Sequence, residues 1–124
     1  DPKFITELSQ ARPSNSFLKE APLVIVVCAD PEKCDVWVEN AAIAATYICQ
    51  AAVALGLGHC WLQIREREHS PEQTAEEYVR AVLKIPPHLK VVSMIAIGYP
   101  DEQKAGHPKD ELKFEKIHLN GYGN

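Results

Sequence analysis

Apolar residues in this chain fall into three short runs and one long run. The short runs, residues 23–29, 59–64 and 89–98, have the length and the branched aliphatic content of buried β-strands. Because residues 23–29 are apolar on both faces, we expect that strand at the centre of a sheet. The long run covers residues 41–57 and has almost no polar face. A helix there must be buried on every side, by its own domain or by a second subunit.

Two further helices are predicted from their start signals and apolar spacing. The first begins with Asp1 as N-cap, followed by proline, and ends near Pro13 before a loop over residues 14–16. The second begins with Ser70 as N-cap and carries Gln73 at the capping-box position. The inner face of this second helix has apolar residues at helical spacing, namely Ala75, Tyr78, Val79, Val82 and Leu83.

The predicted order of elements is helix, strand, long helix, strand, helix, strand and a polar tail. This order is typical of helices layered on a sheet, in a single domain over residues 1–124. Residues 105–124 are short of core residues and form an extended arm, either frayed or laid against another surface. A chain of 124 residues can bury about two-thirds of the surface that it exposes when unfolded.

Charge and composition exclude several classes of partner. A formal net charge of −4 argues against nucleic acid and anionic membranes. Residues 41–57 lie at the lower limit for a membrane span and are rich in alanine. The first ten residues are polar, unlike a signal peptide. The four cysteines form no CxxC pair, so a reduced cytoplasmic protein is the simplest interpretation, with disulfides as the minority option.

The segment Gly56-Leu57-Gly58 has two interpretations. It begins like a dinucleotide-binding fingerprint, but Trp61 stands where the third glycine belongs, and the glycines follow a helix rather than a strand. We therefore interpret Gly56 or Gly58 as the left-handed cap that ends the long helix.

The remaining polar residues are weak candidates for catalysis. His59 and Cys60 have no partner at the spacing of a zinc site, and Cys60 follows a helix C-terminus, where the helix dipole opposes a thiolate. The carboxylates of residues 66–68 and of Asp110-Glu111 are typical of solvated surface. The lysines of the arm fit either a phosphate contact or ordinary solubility. The residues alone therefore indicate no catalytic side chain and no metal site.

Four separated stretches, in this order, resemble the FMN-dependent nitroreductase family. They are FLKEAPLVIVVCAD (17–30), ENAAIAATYICQAAVALGLGHCWLQ (39–63), IPPHLKVVSMIAIGYPDEQK (85–104) and HPKDELKFEKIHLNGYG (107–123). They look like the family's central strand, its long dimer-forming helix with the flavin-side segment, its last core strand and its C-terminal arm. Together they cover nearly the whole chain.

The resemblance implies an α+β fold of three α/β/α layers, with a mixed or antiparallel sheet around the long buried helix. It also implies a homodimer, formed through the helix between Val36 and Leu57 and through the C-terminal arm. Family members bind FMN at the dimer interface and pass a hydride from NAD(P)H through FMN to a nitroaromatic, quinone or related acceptor, by a ping-pong mechanism. The expected function is that of an FMN-dependent NAD(P)H oxidoreductase.

The family's site residues are carried over position by position. Trp61, Leu62 and Gln63 match the segment that lines the isoalloxazine ring, largely through backbone groups. Lys109 matches a basic residue that binds the FMN phosphate, which a lysine does as a point charge. Asn40 stands where many members have an aspartate.

Two family elements have no counterpart in this sequence. One is the N-terminal helix with an Arg-Arg-Ser-x-Arg type motif for the FMN phosphate, and the other is the Pro-Ser and Asn-x-Gln-Pro-Trp region beside the flavin. Each lost charge-assisted hydrogen bond would cost about 1.5–3 kcal/mol of binding free energy. We therefore expect either that the fold is N-terminally incomplete here, or that the protein is a non-catalytic dimeric relative that has lost flavin. Flavin-dependent dehalogenation and flavin fragmentation are enzymatic alternatives on the same fold.

Overall fold

The computed structural model describes residues 1–123. Its helices are α1 (Pro2–Leu8), α2 (Trp37–Ala54) and α3 (Ala75–Leu83), and a 3₁₀ helix spans Pro13–Glu20. Its strands are β1 (Leu23–Ala29), β2 (Gly58–Gln63), β3 (Glu68–Ser70), β4 (Gln73–Thr74) and β5 (Lys90–Gly98). Two short 3₁₀ turns, Lys109–Glu111 and Phe114–Lys116, follow in the arm.

The main sheet is antiparallel, with β5 between β1 and β2. The three predicted strands are confirmed, but the central position predicted for β1 is wrong. β1 is apolar on both faces because helices cover both faces of the sheet, and this cover extends to the edge strand. The prediction that β2 is buried is also wrong for His59, Cys60 and Trp61, which are exposed because β2 forms the opposite edge of the sheet.

Helices pack on both faces of this sheet. On one face, α2 covers a core that includes Val27 and Ile95. On the other face, α1, α3 and the 3₁₀ helix cover a second core around Leu18, Val79 and Met94. This arrangement confirms the predicted three-layer α/β/α fold, and the strand pairs in residues 1–123 are antiparallel.

A bulge in β5 determines where β2 ends. The register between β1 and β5 shifts next to Val27 and leaves Val92 as an extra residue on β5. The C=O of Val92 accepts hydrogen bonds from the backbone N–H of Ile64 at 3.2 Å and of Arg65 at 3.0 Å. This double contact ends β2 directly after Gln63 and turns the chain.

The two flanking helices differ from their predicted bounds. The carboxylate of Asp1 caps α1 as predicted, since it accepts a hydrogen bond from the N–H of Lys3 at 2.9 Å. However, α1 ends at Leu8, and residues 14–16 belong to the 3₁₀ helix rather than to a loop. The proline at position 13 suits the first position of a helical turn, so it starts a new helix there.

The start of α3 lies at Ala75 and not at the predicted Ser70. The hydroxyl of Thr74 accepts from the N–H of Glu77 at 3.1 Å, and the Glu77 carboxylate accepts from the N–H of Thr74 at 2.9 Å, which forms a complete capping box. Ser70 instead ends β3 of a small hairpin, because Pro71 suits a tight turn as well as a helix start. The predicted inner face of α3 is confirmed, since its apolar residues belong to the core.

The long helix α2 has one buried side and one exposed side. Ala41, Ala45 and Ala52 face the sheet and are buried. Gly56 has a φ of +72° and provides the predicted left-handed cap, whereas Gly58 begins β2. The exposed side carries large apolar side chains, namely Ile43, Tyr47, Val53 and Leu55. Burial on every side is therefore not achieved within one chain.

We predict that the capping box of α3 gives the protein an acid-sensitive contribution to stability. Hydrogen bonds from the backbone and hydroxyl of Thr74 lower the pKa of Glu77. A lowered pKa in the folded state stabilises the fold fully above the ordinary carboxyl range, and this stabilisation is lost as pH falls through the lowered pKa. The free energy of unfolding of Glu77→Gln should therefore fall below that of the wild type at neutral pH and approach it in acid.

Urea unfolding at a series of pH values measures this difference. Glu115→Gln, in the exposed arm, is the matched control and should follow the wild type throughout. A deficit of Glu77→Gln that stays the same from neutral to acid pH would contradict the assignment.

Candidate functional site

The predicted site residues of β2 are divided between the two faces of the sheet. Trp61 pairs with Ile95 and Gln63 with Ser93, so both side chains point to the α2 face. Leu62 points to the opposite face and is buried in the core there. Leu62 therefore offers only its backbone to a ligand, whereas Trp61, which is 37% exposed, also offers its side chain.

β2 presents backbone donors at a free edge of the sheet. The N–H of Ile64 donates to the C=O of Val92 on β5 at 3.2 Å. Backbone groups of an antiparallel strand alternate between facing the partner strand and facing away from it. The N–H groups of Trp61 and Gln63 therefore point away from β5, where an acceptor atom can reach them.

Gln63 has most of its polar groups occupied within the chain. Its Oε1 accepts from the indole Nε1–H of Trp61 at 3.1 Å, and its Nε2 donates to the C=O of Arg65 at 3.0 Å. Its own C=O accepts from Nη1 of Arg12 at 3.1 Å. These three bonds hold the side chain and the peptide after Gln63, while the pairing of β2 with β5 directs the N–H of Gln63 outward at the sheet edge.

Positive charge borders this segment on the side of α2. The guanidinium carbon of Arg65 lies 5.6 Å from the ring centre of Trp37, the first residue of α2. Such a cation–π contact is worth about 0.5–1 kcal/mol at an exposed position. Arg65 also pairs with Glu66 at 2.7 Å, and Glu66 has a φ of +56°, which allows the sharp turn after β2. The guanidinium of Arg12 contacts the end of β2 itself, through the C=O of Gln63.

Lys109 lies apart from β2 in the described chain. It begins the turn Lys109–Glu111, and every residue of this turn is exposed. The structure therefore brings Trp61, Leu62 and Gln63 together but does not bring Lys109 to them. Asn40, near the start of α2, donates to Sγ of Cys34 at 3.2 Å.

Residues that the sequence suggested for other chemistry have ordinary environments. His59 and Cys60 line an open, mainly apolar groove of about 340 Å³. Within residues 1–123, no group of three or more His, Cys, Asp or Glu side chains could hold a metal ion. All four cysteines are free, and burial, with the charge of Glu76, raises the pKa of Cys28. None of the helices described is long and apolar enough to span a membrane.

The sequence matches the family model described as Nitroreductase family over residues 2–99. This range covers the main sheet and the helices that pack on both of its faces. The chain belongs to the nitroreductase family. This finding confirms the resemblance, and it makes the protein a member of a family of oxidoreductases.

Individual relatives agree with the assignment to the nitroreductase family. A protein of Archaeoglobus fulgidus described as "Putative NADH dehydrogenase/NAD(P)H nitroreductase" is 32% identical over 123 residues, which is 95% of this chain and 68% of that protein. A protein of Methanothermobacter thermautotrophicus with the same description is 30% identical over 120 residues, covering 94% of this chain and 59% of that protein. The family member described here therefore spans only part of the length of these relatives.

A solved structure confirms the fold. The FMN-dependent nitroreductase of Clostridium difficile R20291 superposes with a TM-score of 0.93 at 44% identity, covering 98% of this chain and 72% of that one. Both the three layers and the antiparallel sheet expected of a nitroreductase-like α+β fold are thus shown.

Arg12 is the residue of the candidate site that the sequence analysis missed. In the sequence it stands next to Pro13, where a basic residue indicates nothing more than the end of a helix. Its hydrogen bond to Gln63 joins residues 51 positions apart. Local patterns carry no information about a contact at that separation, so only the folded chain reveals it.

We predict that Gln63→Leu releases Trp61. The substitution removes the acceptor of the indole Nε1–H and the donor to the Arg65 carbonyl. In ¹H–¹⁵N NMR spectra, the indole resonance of Trp61 should shift and exchange faster with water. The backbone amides of β1, at the opposite edge of the sheet, should stay in place as the internal control. An unchanged Trp61 resonance would show that the bond to Gln63 is absent in solution.

Proposed function

We propose that the protein is an FMN-dependent NAD(P)H oxidoreductase in which the flavin ring lies along the free edge of β2. The observation that supports this proposal most strongly is the set of hydrogen bonds that Gln63 makes. Three of its polar groups are bonded within the chain, and its N–H points outward at the sheet edge. A residue held in this way presents one oriented donor, which suits a ring edge that carries hydrogen-bond acceptors.

The residues around this edge fit an isoalloxazine ring. Trp61 supplies a flat, partly exposed aromatic side chain next to the outward N–H groups. Arg12 supplies positive charge at the end of the strand. The flavin, when bound, accepts a hydride from NAD(P)H and delivers reducing equivalents to an acceptor. The chain's own contribution is to orient the ring, to exclude water from one side of it and to place cations near it.

The names of the relatives support the choice of cofactors. The Clostridium difficile protein, at 44% identity, is named as FMN-dependent, and the Archaeoglobus fulgidus protein is named for NADH and NAD(P)H. Nitroaromatics, quinones and similar acceptors reduced by a ping-pong mechanism are the substrates and kinetics that we propose. A cytoplasmic location is part of the same proposal.

Two exposed apolar surfaces in residues 1–123 support a homodimer. One is the exposed side of α2, where Tyr47 is 73% exposed. The other is the arm, whose apolar side chains are exposed as well, namely Leu112, Phe114, Ile117 and Leu119. Apolar side chains gain about 25 cal/mol for each Å² removed from water, so a second copy that covers both surfaces would be strongly favoured.

A dimer would also give Lys109 a role. Residues 105–117 of the arm are exposed, so the arm of one subunit could reach the site of the partner subunit. Lys109 remains our candidate for the FMN phosphate in this arrangement. The lysine ammonium would bind the phosphate as a point charge at an exposed position.

Flavin binding and reduction test the proposed function directly. Purified protein titrated with FMN should bind it with micromolar or tighter affinity, and the visible flavin absorbance should bleach under NADH or NADPH without oxygen and return with a quinone. Protein that takes up no FMN, or holds FMN that neither nucleotide bleaches, would contradict the proposal and favour the non-catalytic dimeric relative.

Riboflavin, which lacks the phosphate, separates the two ends of the cofactor. Lys109→Gln should weaken FMN binding by about tenfold, as expected for loss of one charge-assisted contact, while riboflavin binding stays unchanged. Lys113→Gln, in the same exposed arm, is the matched control. Equal effects of Lys109→Gln on both ligands would remove Lys109 from the phosphate site.

Dimerisation has its own test on the exposed side of α2. Ala44 is exposed there, and Ala44→Glu would place a charge in the proposed interface. Sedimentation should show a monomer for Ala44→Glu and a dimer for the wild type. Ala81→Glu, the same change at an exposed position of α3, should stay dimeric. A dimer with Ala44→Glu as stable as that of the wild type would place the interface elsewhere.

A further inference from the structure

Arg12 connects two layers of the molecule at the edge of the sheet. It lies between α1 and the 3₁₀ helix, and its Nη1 donates to the C=O of Gln63 at 3.1 Å in a partly buried position. The residue before it is also held, since the C=O of Ala11 lies 3.3 Å from Nδ1 of His69. His69 in turn stacks on Tyr78 of α3 with ring centres 4.1 Å apart. The backbone next to Arg12 is therefore anchored through His69 to α3.

The contact with Gln63 lies beside the donor that the proposed function uses. In an extended strand, the N–H and C=O of one residue point to the same side. The guanidinium of Arg12 and the outward N–H of Gln63 therefore share the free edge of β2. A group bound to that N–H would lie next to a guanidinium, which stays positively charged at any physiological pH.

The positive charge of Arg12 beside the Gln63 N–H would affect the reduction of a bound flavin as well as its binding. A hydride carries two electrons and one proton, so it adds one negative charge to the ring that accepts it and leaves NAD(P)⁺ behind. A fixed positive charge beside the ring stabilises that added negative charge. In a partly buried site, the effect is screened less than at an open surface.

We propose that Arg12 is a positioning residue for the flavin, which fixes the Gln63 peptide and raises the reduction potential of the bound ring. This inference rests on the proposed function, because it assumes flavin at the edge of β2. The two roles are separable. The hydrogen bond restrains the backbone on the C-terminal side of Gln63, next to its N–H, and hence affects affinity, whereas the charge affects the potential.

The structure offers a matched control and a rescue experiment for this residue. Arg12 lines an open groove of about 440 Å³ that Lys19 also lines. Lys19→Ala removes a positive charge from the same groove, and no hydrogen bond links Lys19 to β2 in the described residues. In Arg12→Ala, guanidinium ion added to the solution has an open path to the vacated position.

The experiment measures FMN affinity and the midpoint potential of bound FMN. Arg12→Ala should bind FMN about tenfold or more weakly, as expected for a hydrogen bond from a charged donor, and the potential should become more negative. Millimolar guanidinium chloride should restore both values, and sodium chloride at equal ionic strength should restore neither. Lys19→Ala should behave as the wild type. If Arg12→Ala does not fold, Arg12→Lys is used instead. This substitution keeps the positive charge but removes the planar guanidinium group with its fixed donors. The potential should then stay near that of the wild type while affinity falls.

The possible failures are distinct. Wild-type protein that binds no FMN would overturn the proposed function together with this inference. Wild-type protein that binds FMN, with an Arg12→Ala variant of equal affinity and potential, would overturn the role of Arg12 alone. Equal losses in Arg12→Ala and Lys19→Ala would also overturn it, because a general effect of groove charge would then explain the data.

Discussion

The central strand β5 is buried on both faces, and the rest of the fold follows from this constraint. Helices must cover both faces of the sheet, which accounts for the three layers. α2 covers one face with alanines, since small side chains let the helix approach closely. The other face is covered by shorter elements around Leu18 and Met94. The bulge at Val92 then determines where β2 leaves the sheet, and so where the candidate site lies.

The candidate site is built from backbone more than from side chains. The side chain of Gln63 accepts from the indole of Trp61 and donates to the carbonyl of Arg65, and Arg12 donates to the carbonyl of Gln63 from another layer. A nucleophile or an acid–base pair is not needed in an enzyme whose cofactor carries out the hydride chemistry. The nitroreductase family, to which this chain belongs, fits such a site, because orientation of a ring requires fixed donors and nearby charge.

Sequence patterns predicted the helices and strands well where the distribution of apolar residues alone determines the secondary structure. The three strands of the main sheet, the long helix and the Gly56 cap were correct, since apolar runs and a left-handed glycine are local signals. The order of strands in the sheet depends on contacts between distant parts of the chain. Local sequence patterns do not contain this information, so β1 was wrongly predicted at the centre of the sheet. Ser70 competed with Thr74 for the same helix start, and the complete capping box at Thr74 prevailed.

For the site, the resemblance placed Trp61, Leu62 and Gln63 on one strand, where the structure also has them together. The contact of Arg12 was not predictable, because it depends on packing between layers. Lys109 was placed by resemblance only, and the single chain leaves it exposed in the arm. A residue whose role depends on a second subunit cannot be positioned by the packing of one chain.

The central claim is that flavin binds along the free edge of β2, against the N–H of Gln63. The backbone amide resonance of Gln63, followed by ¹H–¹⁵N NMR during titration with FMN, tests it most directly. We predict that this resonance shifts and becomes protected from solvent exchange, while amides of β1, at the opposite edge, change little. Saturable FMN binding that leaves the Gln63 amide unshifted and unprotected would contradict the account.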